Sequence, residues 1–111
     1  MTISLKDIIQ NSVFPIIASG TSTLDFGNYP GSNEASIIIS GQSTVKSDSI
    51  IRVYVNSSDT SVDHTANDHK YFSEFATVTS GSLVAGVGFT IYATSIHKLS
   101  GKFTVRWTFT N

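Results

Sequence analysis

The sequence predicts an all-β protein, an antiparallel β-sandwich or jelly-roll-like fold with a short N-terminal arm or helical turn. Three observations carry this expectation. From Thr21 onward apolar residues recur at every second position in short runs, the pattern of strands buried on one face. Gly, Pro and Asn punctuate these runs at intervals of about ten residues, as turns do in sandwiches. No long stretch keeps a helical period.

The first segment differs from the rest. Leu5, Ile8 and Ile9 stand at helical spacing, so a short amphipathic turn is expected over Ser4–Asn11, with Ser4 as its cap and Asp7 three residues on. Pro15 then forces extension. Residues 1–20 are therefore read as an arm and 21–111 as one sandwich domain. The arm packs either on its own domain or on a neighbouring subunit. Lys6, Asp7, Gln10 and Asn11 break its apolar run, so it reads neither as a secretory signal nor as a membrane span.

Thr21–Phe26 is the first expected strand, closed by a turn over Asn28-Tyr29-Pro30-Gly31. Pro at the first central position and Gly at the second suit a type II turn. Glu34–Ser40 follows, with Ala35, Ile37 and Ile39 on one face; the run of isoleucines through Ile38 suggests burial on both faces. Asp48–Val55 alternates Ile51, Val53 and Val55 against Arg52 and Tyr54 and is expected to be a central strand with one face toward water or a partner. Phe72–Thr79 reads as the next strand, Leu83-Val84-Ala85 as a glycine-bracketed loop, and Phe89–Thr94 and Gly101–Thr110 as the closing pair. The expected core is Ile37, Ile39, Ile51, Val53, Val55, Phe89, Ile91, Val105, Trp107 and Phe109. At about 1.5–3 kcal/mol for each large side chain buried, it needs no staple.

Composition limits function. The 111 residues contain no cysteine, which removes disulfides, Cys-based zinc sites and thiol nucleophiles. Seven Lys and Arg residues, scattered along the chain, face eight Asp and Glu, which argues against a nucleic-acid groove. Charged residues are 14% of the chain, against about 25% in an ordinary soluble domain. A polar but weakly charged surface of this kind suits a subunit of an assembly.

Ionisable groups that could do chemistry crowd into Asn56–Tyr71, around Asp63-His64 and Asp68-His69. In a helical turn His64 and Asp68 would share a face, and Asp63 could cap Ala66 or Asn67. His64, Asp68 and His69 are candidate metal ligands, since imidazole and carboxylate suit divalent ions. However, the H-x₄-H spacing differs from the i, i+4 pair of zinc-hydrolase helices, and a hydrogen-bonded, capped loop is the simpler expectation. No nucleophile elbow is present, Gly86-Val87-Gly88 enters a strand rather than a helix, and nothing brings Glu34 and Glu74 together as a glycosidase pair. The expectation is a protein that is not an enzyme and needs no cofactor. Asn56-Ser57-Ser58 fits the glycosylation pattern, which a Ser-rich loop produces by coincidence. Tyr29, Tyr54, Tyr71 and Tyr92 could instead form an aromatic platform for sugars or protein partners.

The order Leu24-Asp25-Phe26-Gly27, Tyr29-Pro30-Gly31, Gly41-Gln42, Asp63-His64, Asp68-His69, Gly88-Phe89-Thr90-Ile91-Tyr92-Ala93 and a terminal Gly101 to Trp107 strand resembles small virion structural proteins of tailed bacteriophages, of the head-decoration or tail-associated type. The resemblance spans Leu24 to Phe109. It implies a β-sandwich that binds capsid or tail subunits as a homo-oligomer, such as a trimer, made in the host cytoplasm and located in the virion, with no nucleic-acid or membrane partner. Interface candidates are Arg52, Tyr54, Asp63, His64, Asp68, His69 and Arg106. Two alternatives stand beside it: a carbohydrate- or receptor-binding module of a tail or fibre, and a metal-dependent enzyme built on the His64/His69 loop.

Overall fold

The computed structural model describes residues 16–111. The helical turn expected over Ser4–Asn11, and Pro15 after it, lie outside the described residues. Six strands and one helix follow in the order β1 (Ile16–Asp25), β2 (Ser32–Ile39), β3 (Ile50–Tyr54), α1 (Ala66–Phe75), β4 (Ala76–Val84), β5 (Gly88–Leu99) and β6 (Lys102–Thr110). They form two three-stranded antiparallel sheets, ordered β1-β6-β3 and β2-β5-β4. The fold is the expected all-β sandwich with one short helix.

Each sheet turns its apolar alternation inward. On β6 the residues Phe103, Val105, Trp107 and Phe109 are all buried. Leu24, Phe26, Ile39, Val45, Phe72, Phe89, Ile91 and Ala93 complete the core. Trp107 meets Phe89 edge-on at 5.3 Å, the geometry aromatic quadrupoles favour. Every residue of the expected core is buried or packs against it.

Several local expectations are corrected. Ile38 is 76% exposed, so among the described residues β2 buries one face only and nothing covers its outer face; it is an edge strand of its sheet. Among the described residues β3 pairs with β6 alone, which makes β6, not β3, the central strand of its sheet. β1 begins at Ile16, ahead of the expected Thr21, because β6 is long enough to pair with it back to that point. Gly81–Val84 belongs to β4, with a register shift where a loop was expected.

The turn after β1 closes by a hydrogen bond from Gly31 N–H to the Asn28 carbonyl at 2.7 Å. Its central residues are therefore Tyr29 and Pro30 rather than the pair a type II reading gives. Gly31 has φ +81, and a Cβ there would lie 1.7 Å from the Leu99 carbonyl oxygen. Only glycine fits between this turn and the end of β5.

The largest correction is α1. Phe72–Phe75, expected to open a strand, form its last turn, and β4 starts directly afterwards. Thr65 caps the helix: its hydroxyl accepts from Asp68 N–H at 3.2 Å, and the Asp68 carboxylate accepts from Thr65 N–H at 3.3 Å. This reciprocal capping box assigns to Thr65 the role expected of Asp63. Phe72 is the main anchor, stacked at 4.5 Å on Phe103 and edge-on to Phe26 at 5.8 Å.

Candidate functional site

The ionisable cluster does come together, around one edge of β6. In that strand the odd-numbered residues turn their backbone groups toward β1. The pattern is already set at the preceding turn, where Gly101 bonds Phe26 and Gly27. The polar groups of Lys102 and Thr104 therefore face the other way, toward β3. Yet β3 ends at Tyr54, opposite Arg106, and among the described residues this lower stretch has no neighbouring strand on that side. Unpaired backbone groups at such a place are costly.

Side chains fill the gap. Lys102 N–H donates to Asp63 Oδ2 at 2.8 Å, the Lys102 carbonyl accepts from Ser61 Oγ at 2.5 Å, and Thr104 N–H donates to His69 Nε2 at 2.9 Å. The Thr104 hydroxyl adds a bond to the Thr60 carbonyl at 2.8 Å. The loop and α1 thus supply, for both backbone groups of Lys102 and for the Thr104 amide, what a longer β3 would supply with its backbone.

His69 has 0% exposure. Its Nε2 accepts from Thr104, so the ring proton sits on Nδ1 and is donated to the Thr65 carbonyl at 2.8 Å. Both nitrogens are committed. His64 lies outside the helix, stacked at 3.9 Å on Phe103. Its Nδ1 faces Asp68 Oδ2 at 3.0 Å and its Nε2 the Ser100 carbonyl at 2.6 Å. Both ring nitrogens thus face an oxygen acceptor. The hydrogen bond from His64 holds the Asp68 carboxyl below the usual carboxylate range, helped by the Thr65 backbone and opposed by partial desolvation.

The two histidines therefore flank one phenylalanine instead of facing a common ion. Among the described residues no group of three or more His, Asp or Glu is arranged to hold a metal. Glu34 stands on β2 and Glu74 on α1, on separate elements.

The remaining interface candidates divide. Arg106 donates through Nε and a terminal nitrogen to the two oxygens of Asp59, at 2.8 and 2.6 Å. This fork holds the Asp59 carboxyl below its ordinary range and raises the guanidinium. Arg106 is thus engaged within the chain. Arg52 is exposed and makes no ion pair among the described residues. Tyr54 is exposed on the outer face of β3, and Tyr92 is exposed on the other sheet with its hydroxyl bonded to Ser82 at 2.7 Å. The four tyrosines do not share one platform: these two belong to different sheets, Tyr29 to a turn and Tyr71 to the helix.

Sequence reasoning missed Asp59, Thr60, Ser61 and Thr65. Thr65 had a readable signal, since Thr-x-x-Asp before an apolar position is a capping pattern. The others act on residues more than forty positions away, and no local spacing reveals that.

Fold and site together define a small sandwich whose conspicuous polar cluster is a structural clamp. Comparison of the chain with protein-family models, with curated proteins and with solved structures finds no match in any of the three. No helix among the described residues is long and apolar enough to cross a membrane.

Proposed function

We propose that the chain is a non-enzymatic structural protein of a tailed-phage virion that binds capsid or tail subunits. The observation that carries the non-enzymatic part is the internal commitment of the candidate catalytic groups. His69 uses both nitrogens, His64 faces an acceptor at each, and Asp63 and Asp68 bond backbone amides. The virion part is supported by the order of motifs from Leu24-Asp25-Phe26-Gly27 to the terminal aromatic strand. Surface chemistry agrees with it. Ile38, Val84, Val87 and Ile96 are exposed, and the outward positions of β4, Thr77 and Thr79, are neutral. Such a surface favours contact with protein over solitary solubility. Arg52 and Tyr54 supply an exposed cation and an aromatic ring for the same purpose.

Electron microscopy of purified particles with a tag at Asn111 tests the reading. Label at regular, symmetry-related positions is expected. Label confined to the soluble fraction of the lysate would sink it. Light scattering of the isolated protein should report a closed oligomer such as a trimer, and a strict monomer at high concentration would remove the homo-oligomer from the proposal.

A further inference from the structure

Three segments converge beside the clamp: the turn after β1, the start of the Asp63-His64 loop, and the β5–β6 turn. They border a shallow, open polar hollow of about 240 Å³ lined by Gly27, Asn28, Tyr29, Asp63, His64, Ser100 and Gly101. Each segment is pinned. Gly31 closes on Asn28, Phe26 and Gly27 bond Gly101, His64 holds Ser100, and Asp63 holds Lys102. Gly101 has φ +81, and a Cβ there would come within about 3.0 Å of Asp63 and His64, so the floor must be glycine.

What the fold leaves unused is specific in kind. Tyr29 is 89% exposed and contributes nothing to the core. Asp63 engages Oδ2 with Lys102, while Oδ1 has no hydrogen bond among the described residues. The Asn28 amide and the Ser100 hydroxyl are likewise uncommitted there. The hollow therefore offers an aromatic plate, one oriented carboxylate oxygen, an amide and a hydroxyl over a side-chain-free floor.

We infer that this hollow is a subsite for a neutral pyranose, its C–H face laid on Tyr29 and its hydroxyls bonded by the free Asp63 oxygen and the Asn28 amide. The tyrosine ring is negative on its face and attracts polarised C–H groups. A carboxylate accepts from hydroxyls more strongly than a neutral group does. Pinned segments lose little freedom on binding. The same carboxylate repels acidic sugars, which sets the class. The inference is independent of the virion proposal: a particle-bound protein with no sugar affinity overturns only this one.

The test is a two-dimensional amide NMR titration of the whole chain with glucose, galactose, mannose and N-acetylglucosamine. Glucuronic and N-acetylneuraminic acids form the contrasting arm. A single shallow subsite should bind at roughly millimolar strength. At least one neutral sugar should shift the amides of Gly27, Asn28, His64 and Gly101 saturably. Tyr29→Ala and Asn28→Ala should each weaken that binding at least about tenfold, a loss of about 1.4 kcal/mol, with unchanged melting temperature. Absence of saturation by every neutral sugar, a response to the acidic sugars alone, shifts mapped elsewhere, or full binding by a folded Tyr29→Ala protein would each overturn it.

Discussion

The edge of β6 that faces β3 is built in two ways. From Arg106 to Thr110 its neighbour is a strand, Ile50–Tyr54. From Lys102 to Thr104 its neighbours are the side chains of Asp63, Ser61 and His69. A backbone partner can be built from almost any sequence, because every residue except proline carries the same donor and acceptor. A side-chain partner depends on one residue type at one position. The upper half should therefore tolerate substitution on β3, and the lower half should not tolerate it on the loop.

The harshest way to break this comparison is Phe103→Ala. The ring is stacked by His64 and by Phe72 and packs against Phe26, so its removal should cost about 3–5 kcal/mol, measured by denaturant unfolding. A loss below about 1 kcal/mol would mean that the helix and loop stand without it.

His69→Leu comes next. It keeps volume and apolar packing but strips the acceptor from Thr104 and the donor from Thr65, leaving buried groups unpaired at about 1–3 kcal/mol. Hydrogen exchange sharpens the reading. The Thr104 amide should lose protection while amides in the β3-paired half keep theirs. Equal loss along the whole strand would show that the two halves are one unit.

Thr65→Ala should be milder, about 1 kcal/mol, because it removes the cap and leaves the β6 contacts in place. Circular dichroism should show slight fraying of α1, and an unchanged melting curve would contradict the capping assignment.

Acid provides the gentlest probe. Asp59, bonded by Arg106, and Asp68, bonded by His64, are both held below the ordinary carboxylate value of 3.8. A carboxyl depressed in the folded state favours folding above its unfolded pKa. That contribution is lost as pH falls through the lower folded value. Melting temperature should therefore decline below about pH 4, and Asp59→Asn should flatten the decline. A loss concentrated between about pH 5 and 7 would point to histidine instead.

These sites also mark how far the chain could be read. Strand faces were legible wherever burial was one-sided: Phe103, Val105, Trp107 and Phe109 against Lys102, Thr104, Arg106 and Thr108 declare a strand without any tertiary information. The helix was not. Its buried positions are His69 and Phe72, and a histidine in the middle of the inward stripe hides the period that a second apolar residue would have shown. Phe72 and Phe75 then read as strand-forming aromatics. The proximity of His64 and Asp68 was visible as an i, i+4 pair. Their purpose was not, because Ser100 and Phe103 reach them only through the fold. Burial of Ile38 was expected from three adjacent isoleucines, yet hydrophobicity alone does not reveal the number of layers.

The pairing of β1 with β6 brings Ile16 against Thr110, and β3 also has β6 as its sheet neighbour. Synthesis proceeds from the amino end, so β1 and β3 emerge before the strand that joins them exists. All the strands of sheet β2-β5-β4 precede β6 in the chain. The other sheet can only close as a late, long-range event, the kind of step that slows folding. Until β6 docks, that sheet's two outer strands are open to other chains, and refolding at high protein concentration should show this first, as aggregated protein.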